Sequence, residues 1–158
     1  MEKIRILFVC LGNICRSPSA EAVLNAMVKK RGLNDYFEID SAGILNAHEG
    51  EPANARMQKH ATIRGYNLTS ISRQINPKYD FSHFDMIIGM DDQNIRDLKH
   101  LSPDDVSKQK LFKMTDFSQL GNYNIVPDPY YGGNLGFEIV LDILEEACEG
   151  LLQHLQKK

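Results

Sequence analysis

Two cysteines, an arginine and a serine crowd into the stretch CLGNICRS, Cys10 to Ser17, directly after an apolar run. Gly12 and Asn13 tolerate left-handed dihedrals, so successive backbone N–H groups there can turn inward and form an anion-binding nest, completed by a helix N-terminus. A tetrahedral dianion fits such a cradle. Arg16 adds a planar fork of donors suited to bidentate contact with phosphate oxygens. Cys10 would lie at the bottom, where inward N–H groups, the Arg16 charge and a Ser17 hydroxyl favour thiolate over thiol. The chemistry is attack by a sulfur nucleophile on a bound oxyanion. An isolated cysteine is more often a buried strand residue, but here Gly, Asn and Pro accompany C-x5-R-S in a strand–loop–helix setting.

The elements that must hold this loop are legible around it. IRILFVCL is apolar without clean alternation, as in a central strand covered on both faces, and Pro18 opens a helix running to about Arg31, before Gly32. The pattern repeats: FEIDSAG reads as a strand, Asn54 to Gly65 as a helix, FDMIIGM as a second buried strand, DDQNIRDLKHL as a helix and KLFKM as a short strand. A long terminal helix starts from about Gly136 and carries Cys148 on its apolar face. Strands alternating with helices predict one α/β domain over residues 1–158, an open doubly wound, mostly parallel sheet with helices on both faces, flavodoxin-like. Ligands bind such sheets at the carboxyl ends of the strands, where the loop after Val9 lies. The Gly- and Pro-rich segment Asp116 to Gly133 is longer than packing requires, as functional loops often are.

Composition narrows the partners. A formal charge of −3 gives no basic field for nucleic acid or anionic lipid. No apolar run approaches the roughly 18 residues of a membrane span, and the N-terminus lacks a cleavage signal, so a cytoplasmic protein is expected. Three cysteines, an odd number, do not form a secreted disulfide framework. The five histidines lack ligand spacing, so no metal and no other cofactor is expected.

VCLGNICRSPSAEAV resembles the signature of the low-molecular-weight protein tyrosine phosphatases. The likeness extends through DSAG (Asp40 to Gly43), SRQI (Ser72 to Ile75), FDMIIGMD (Phe84 to Asp91) and PDPYYGG (Pro127 to Gly133). It implies Cys10 as nucleophile, Arg16 as phosphate clamp and Asp128 as general acid, with Asn13, Ser17 and Ser41 bracing the loop. Leu11, Gly12, Asn13, Ile14, Cys15 and Ser17 would form the phosphate and substrate site, with Tyr130 and Tyr131 as its wall. Related bacterial enzymes acting on arginine phosphate carry Thr at the place of Ile14, which leans the reading toward phosphotyrosine. An acid is required on physical grounds too: a phenol has a pKa of about 10, so its oxygen leaves poorly unless protonated, and a positioned acid contributes about 10²- to 10⁴-fold. An Asp between two prolines is otherwise a turn former.

Two departures from the family stand out. The loop ILNAHEGE offers no aromatic residue except His48, and LTSISRQI has Ser70 and Ser72 where the family often has His. Asp91 reads as a helix N-cap that could also border the pocket. Cys15 is either a packed side chain or, as the resemblance favours, the partner of Cys10 in a protective reversible disulfide. The expected substrate is a phosphotyrosine protein or small aryl phosphate, hydrolysed by a monomer through a phosphocysteine. One alternative is an arsenate reductase of similar fold, although no resolving cysteine lies between Cys15 and Cys148. The other is a phosphate-binding or redox-sensing module without turnover.

Overall fold

Strand β1 (Ile4–Cys10) pairs in parallel with β2 (Phe37–Gly43) on one side and with β3 (Met86–Gly89) on the other, and β3 pairs with β4 (Leu111–Lys113). The four-stranded sheet therefore runs β2-β1-β3-β4, parallel throughout. The structure, a computed structural model, describes residues 3–156, apart from the side chain of Tyr131.

Alternation along β1 sends its side chains to two cores. Ile6, Phe8 and Cys10 join a cluster with Val23 and Leu24 of α1 (Arg16–Lys30), Met57 of α2 (Ala55–Ile63) and Val140 and Leu144 of α6 (Gly133–Gln156). Leu7 and Val9 face the opposite layer, with Phe81 of α3 (Pro77–His83) and Leu98 of α4 (Asp92–Leu101). Each fully buried side chain of this size contributes about 1.5–3 kcal/mol relative to exposure, which is why β1 reads as an unbroken apolar run from Ile6 to Cys10. Cys10 is the last residue on the α1/α6 face and is 3% exposed.

Because β2 and β3 flank β1, the connections leaving β1 and β2 diverge to opposite faces and open a crevice at the carboxyl ends of β1 and β3. Helix α1 begins at Arg16, two residues before the expected Pro18, since a proline is tolerated anywhere in the first turn. Helix α6 begins at Gly133, three residues early, at a positive φ of 59°. Helix α3, capped by Asn76 with Pro77 at its start, and the short α5 (Asp105–Lys108), capped by Asp104, complete the helices.

Candidate active site

The loop after β1 is held from outside by its carbonyls. Cys10 O accepts from the Ile44 N–H (3.0 Å), Leu11 O from Leu45 (3.0 Å) and Ile14 O from Asn54 (2.8 Å). Gly12 O accepts from the Ser72 hydroxyl at 3.1 Å. In a planar trans peptide the next N–H points away from the carbonyl, so the amides of Leu11, Gly12, Asn13 and Cys15 turn to the other side. The Asn13 N–H accordingly donates to Cys10 Sγ at 3.3 Å. Helices α2, α3, α4 and α5 each carry an Asn or Asp cap, whereas α1 has no side-chain cap and no acidic residue in its first turn. Its positive N-terminal end is thus left for an anion.

Within the loop Asn13 adopts the left-handed conformation, with φ 58°, and Gly12 does not. A Cβ at position 12 would stand 3.1 Å from His48 Cδ2, so the ring would have to shift by a few tenths of an ångström to admit it. Gly43 at the end of β2 is tighter still, since a Cβ would meet Leu11 O and the Gly12 carbonyl carbon, each at 3.1 Å.

The side chains of Asn13, Ser17 and Ser41 lie behind the loop, outside the cavity lining. They are buried, and polar groups in that position must satisfy one another. Asn13 Nδ2 donates to Ser17 Oγ (2.8 Å) and Ser41 Oγ (3.0 Å), and Asn13 Oδ1 accepts the Arg73 N–H (3.0 Å). Ser17 Oγ stands 3.0 Å from Cys10 Sγ. Ser41 in turn donates to Glu21 Oε1 at 2.6 Å. Glu21 was not singled out in the sequence; burial pushes its carboxyl up to about 7, opposed first by the Ser41 hydrogen bond, reinforced by Asp40, and opposed again by Ser70 and Arg73. Ser70 and Ser72 thereby occupy the network where the family often has His.

Arg16 is 4% exposed and its Nη1 donates to Asp91 Oδ2 (2.7 Å) and the Val126 carbonyl (3.1 Å). Asp91 Oδ1 meanwhile accepts the Asn94 N–H at 2.8 Å, so one carboxylate caps α4 and anchors the arginine. The remaining Arg16 donors, Nε and Nη2, have no acceptor among the described residues.

A cavity of about 560 Å³ opens over the loop. Cys10, Leu11, Gly12, Ile14, Cys15, Arg16, Asp128 and Tyr130 all line it. Leu45, Ala47 and His48 face it from the loop after β2, and Asn54, Arg56 of α2 and Phe137 of α6 complete it. Those six were not assigned to the site from sequence. Phe137 reads there as helix core and is indeed 2% exposed, so only the fold discloses its second role. Asp128 Oδ1 accepts the Tyr130 N–H at 2.9 Å, the turn-forming role its proline neighbours suggest, while the residue stays on the cavity wall. Tyr130 is 75% exposed at the rim. Tyr131 was expected in the same wall; its side chain lies outside the described residues. Cys10 and Cys15 are both free thiols. Burial, then the charges of Cys10 and Asp128, push the Cys15 thiol up to about 12 against the pull of Arg16.

The family model described as low molecular weight phosphotyrosine protein phosphatase matches residues 5–158. The chain belongs to this family. A low molecular weight protein-tyrosine-phosphatase of Streptomyces coelicolor is 42% identical over 156 residues, covering 98% of this chain and 94% of that one. The crystal structure of a protein tyrosine phosphatase from Entamoeba histolytica superposes with a TM-score of 0.94 at 47% identity, covering 98% of each chain. An arginine phosphatase of Drosophila shares the fold at a TM-score of 0.87 and 35% identity, over 96% of this chain and 98% of that one. Leu45, Ala47 and His48 of the loop after SAG line the cavity. The His48 ring covers Gly12 and its Nδ1 lies 2.7 Å from Glu51.

Proposed function

We infer that this protein-tyrosine phosphatase works through the thiolate of Cys10. The sulfur attacks phosphorus while Arg16, through Nε and Nη2, and the inward amides hold the equatorial oxygens. As the S–P bond forms the P–O(aryl) bond breaks, and Asp128 gives its proton to the departing phenolate. Asp128 then takes a proton from water, whose oxygen attacks phosphorus and returns the thiolate. The observation that supports this most is the Asn13 N–H and Ser17 Oγ converging on Cys10 Sγ inside a loop in which the carbonyls of Cys10, Leu11, Gly12 and Ile14 turn outward. Donors placed before reaction stabilise developing charge without reorganisation.

Leu11, Ile14, Phe137 and Tyr130 give the cavity an apolar and aromatic lining that suits an aryl phosphate. The protein acts, on this reading, as one phosphatase domain over residues 1–158, a cytoplasmic monomer acting on phosphotyrosine proteins and small aryl phosphates without metal or cofactor. Its charge of −3 argues against nucleic acid and anionic membranes as partners.

A panel of phosphotyrosine, phosphoserine and phosphoarginine peptides tests the reading. Phosphotyrosine should turn over fastest; Cys10→Ser should abolish turnover yet still bind phosphate. Asp128→Asn should slow phosphotyrosine hydrolysis by about 10²- to 10⁴-fold. Preferential hydrolysis of phosphoarginine would refute the substrate assignment, and a fully active Cys10→Ser would refute the mechanism.

A further inference from the structure

Arg56, Lys59 and Ile63 follow one another at helical spacing on α2, so they share a face. Together with His60 and Asn134 they line a second cavity of about 170 Å³, and Arg56 belongs to both this cavity and the one above Cys10. The guanidinium of Arg56 lies 4.8 Å over the Phe137 ring centroid and its Nη2 donates to Asn134 Oδ1 at 3.1 Å. Both contacts are with neutral groups. They fix the position of the charge and leave it uncompensated.

The carboxylates of α6 are engaged elsewhere. Glu138, Asp142 and Glu145 all pair with Arg64, and Glu138 also meets His60. Among the described residues no carboxylate pairs with Arg56 or Lys59, although in sequence they are a short way from Arg64, which has three. Asp128 also lines the catalytic cavity, and Glu51 stands beside His48. Arg56 thus places a held positive charge on the cavity wall, with Lys59 about one turn further along α2.

We propose that Arg56 and Lys59 form a subsite for a carboxylate side chain flanking the phosphotyrosine of a protein substrate. The proposal rests on the phosphatase reading above and adds a sequence preference to it. An extended chain advances about 3.3 Å per residue, and Arg56 and Lys59 stand about 4.5 Å apart along the helix axis at about 1.5 Å per residue. Because Arg56 itself lines the cavity above Cys10, the recognised Asp or Glu lies within a few residues of the phosphotyrosine. Arg56 supplies the near, directional contact, and Lys59 a second charge that tolerates variation in the peptide path.

The test is a set of phosphotyrosine peptides in which one Glu is moved through the three positions on either side, against an all-Ala reference. The readout is the ratio of kcat/KM for each Glu peptide to the reference, so that a general loss of activity in a variant cancels. In the wild type at least one position should be preferred about 5- to 10-fold, and the preference should shrink as sodium chloride is raised toward 0.5 M. Exposed ion pairs of this kind change affinity by about 2- to 5-fold each. Arg56→Gln and Lys59→Gln should each lower the ratio by about that factor. Lys59→Glu, which leaves the Phe137 contact intact, should lower the ratio further than Lys59→Gln, because the new carboxylate offsets the Arg56 charge. A wild type that hydrolyses all the peptides at equal rates, or a preference unchanged in Arg56→Gln/Lys59→Gln, overturns the subsite alone. A wild type inert on every phosphotyrosine peptide overturns the phosphatase reading and the subsite with it.

Discussion

Asp91 shows how one side chain sets the geometry of another. One of its oxygens caps α4 and the other orients Arg16. Asn caps helices about as well as Asp, so Asp91→Asn separates the two roles. A hydrogen bond to a charged group contributes about 1.5–3 kcal/mol. On that scale the variant should lose about 10- to 100-fold in kcat/KM and in inhibition by inorganic phosphate, with thermal stability nearly unchanged. Glu21 makes a second case. Its carboxyl is protonated more readily in the folded chain, at about 7, than in the unfolded chain, at about 4.5. The folded state therefore binds more protons between those values, and the stabilisation present below pH 4.5 is lost as pH rises through 7. The loss amounts to at most about 3 kcal/mol, at about 1.4 kcal/mol per unit. Urea unfolding from pH 5 to 8 should show this decline in the wild type and a flatter profile in Glu21→Gln. Parallel profiles for the two proteins would contradict it.

At the scale of elements, the position of Asp128 depends on how its loop lies on the start of α6. A Cβ at Gly136 would sit 3.0 Å from Pro129 O and 3.4 Å from Pro129 Cα, and backbone atoms cannot swing aside as a side chain would. Gly136→Ala should push the acid outward by a few tenths of an ångström while leaving the cradle intact. Misplacements near 1 Å cost about 10²-fold, so kcat on phosphotyrosine should fall by about 3- to 10-fold, with phosphate inhibition unchanged. Equal loss of both would place the damage in the cradle instead. The loop of Cys10 is held by different means: Ile44 and Leu45 just after β2 bind two of its carbonyls, and Ser72 and the cap of α2 bind one each.

Over the whole molecule, α6 runs from the site to the Phe117 segment within one core layer, with Phe137 lining the cavity and Gly150 near its other end. An ideal Cβ on Gly150 would lie 1.8 Å from Phe117 O, so helix and backbone touch directly. Gly150→Ala must separate them. Overpacking of this kind costs about 1–3 kcal/mol or more, which for a domain of this size lowers Tm by about 2–12 °C. Turnover at 20 °C should be kept, because the altered contact is remote from the cavity. A Tm equal to that of the wild type would show that the contact yields freely.

Some of this was settled along the chain itself. A strand buried on both faces must be apolar throughout, so β1 and β3 announce themselves, and with helices between the strands a parallel doubly wound sheet follows. The C-x5-R-S loop is legible for the same local reason: consecutive residues place the sulfur, the amides and the guanidinium in one turn. Helix α3 was missed although Asn76 and Pro77 mark its start, because seven residues are too few to display a period. Other features were decided only by the tertiary fold. Asp91 and Arg16 are 75 residues apart, and Ser41 and Glu21 are 20 apart. Their meeting depends on which strands are neighbours, and no local pattern encodes that. Phe137 and Arg56 reach the cavity only because α2 and α6 pack together over the carboxyl end of β1. Short-range spacing specifies the reactive atoms, whereas close packing of distant segments determines what surrounds them.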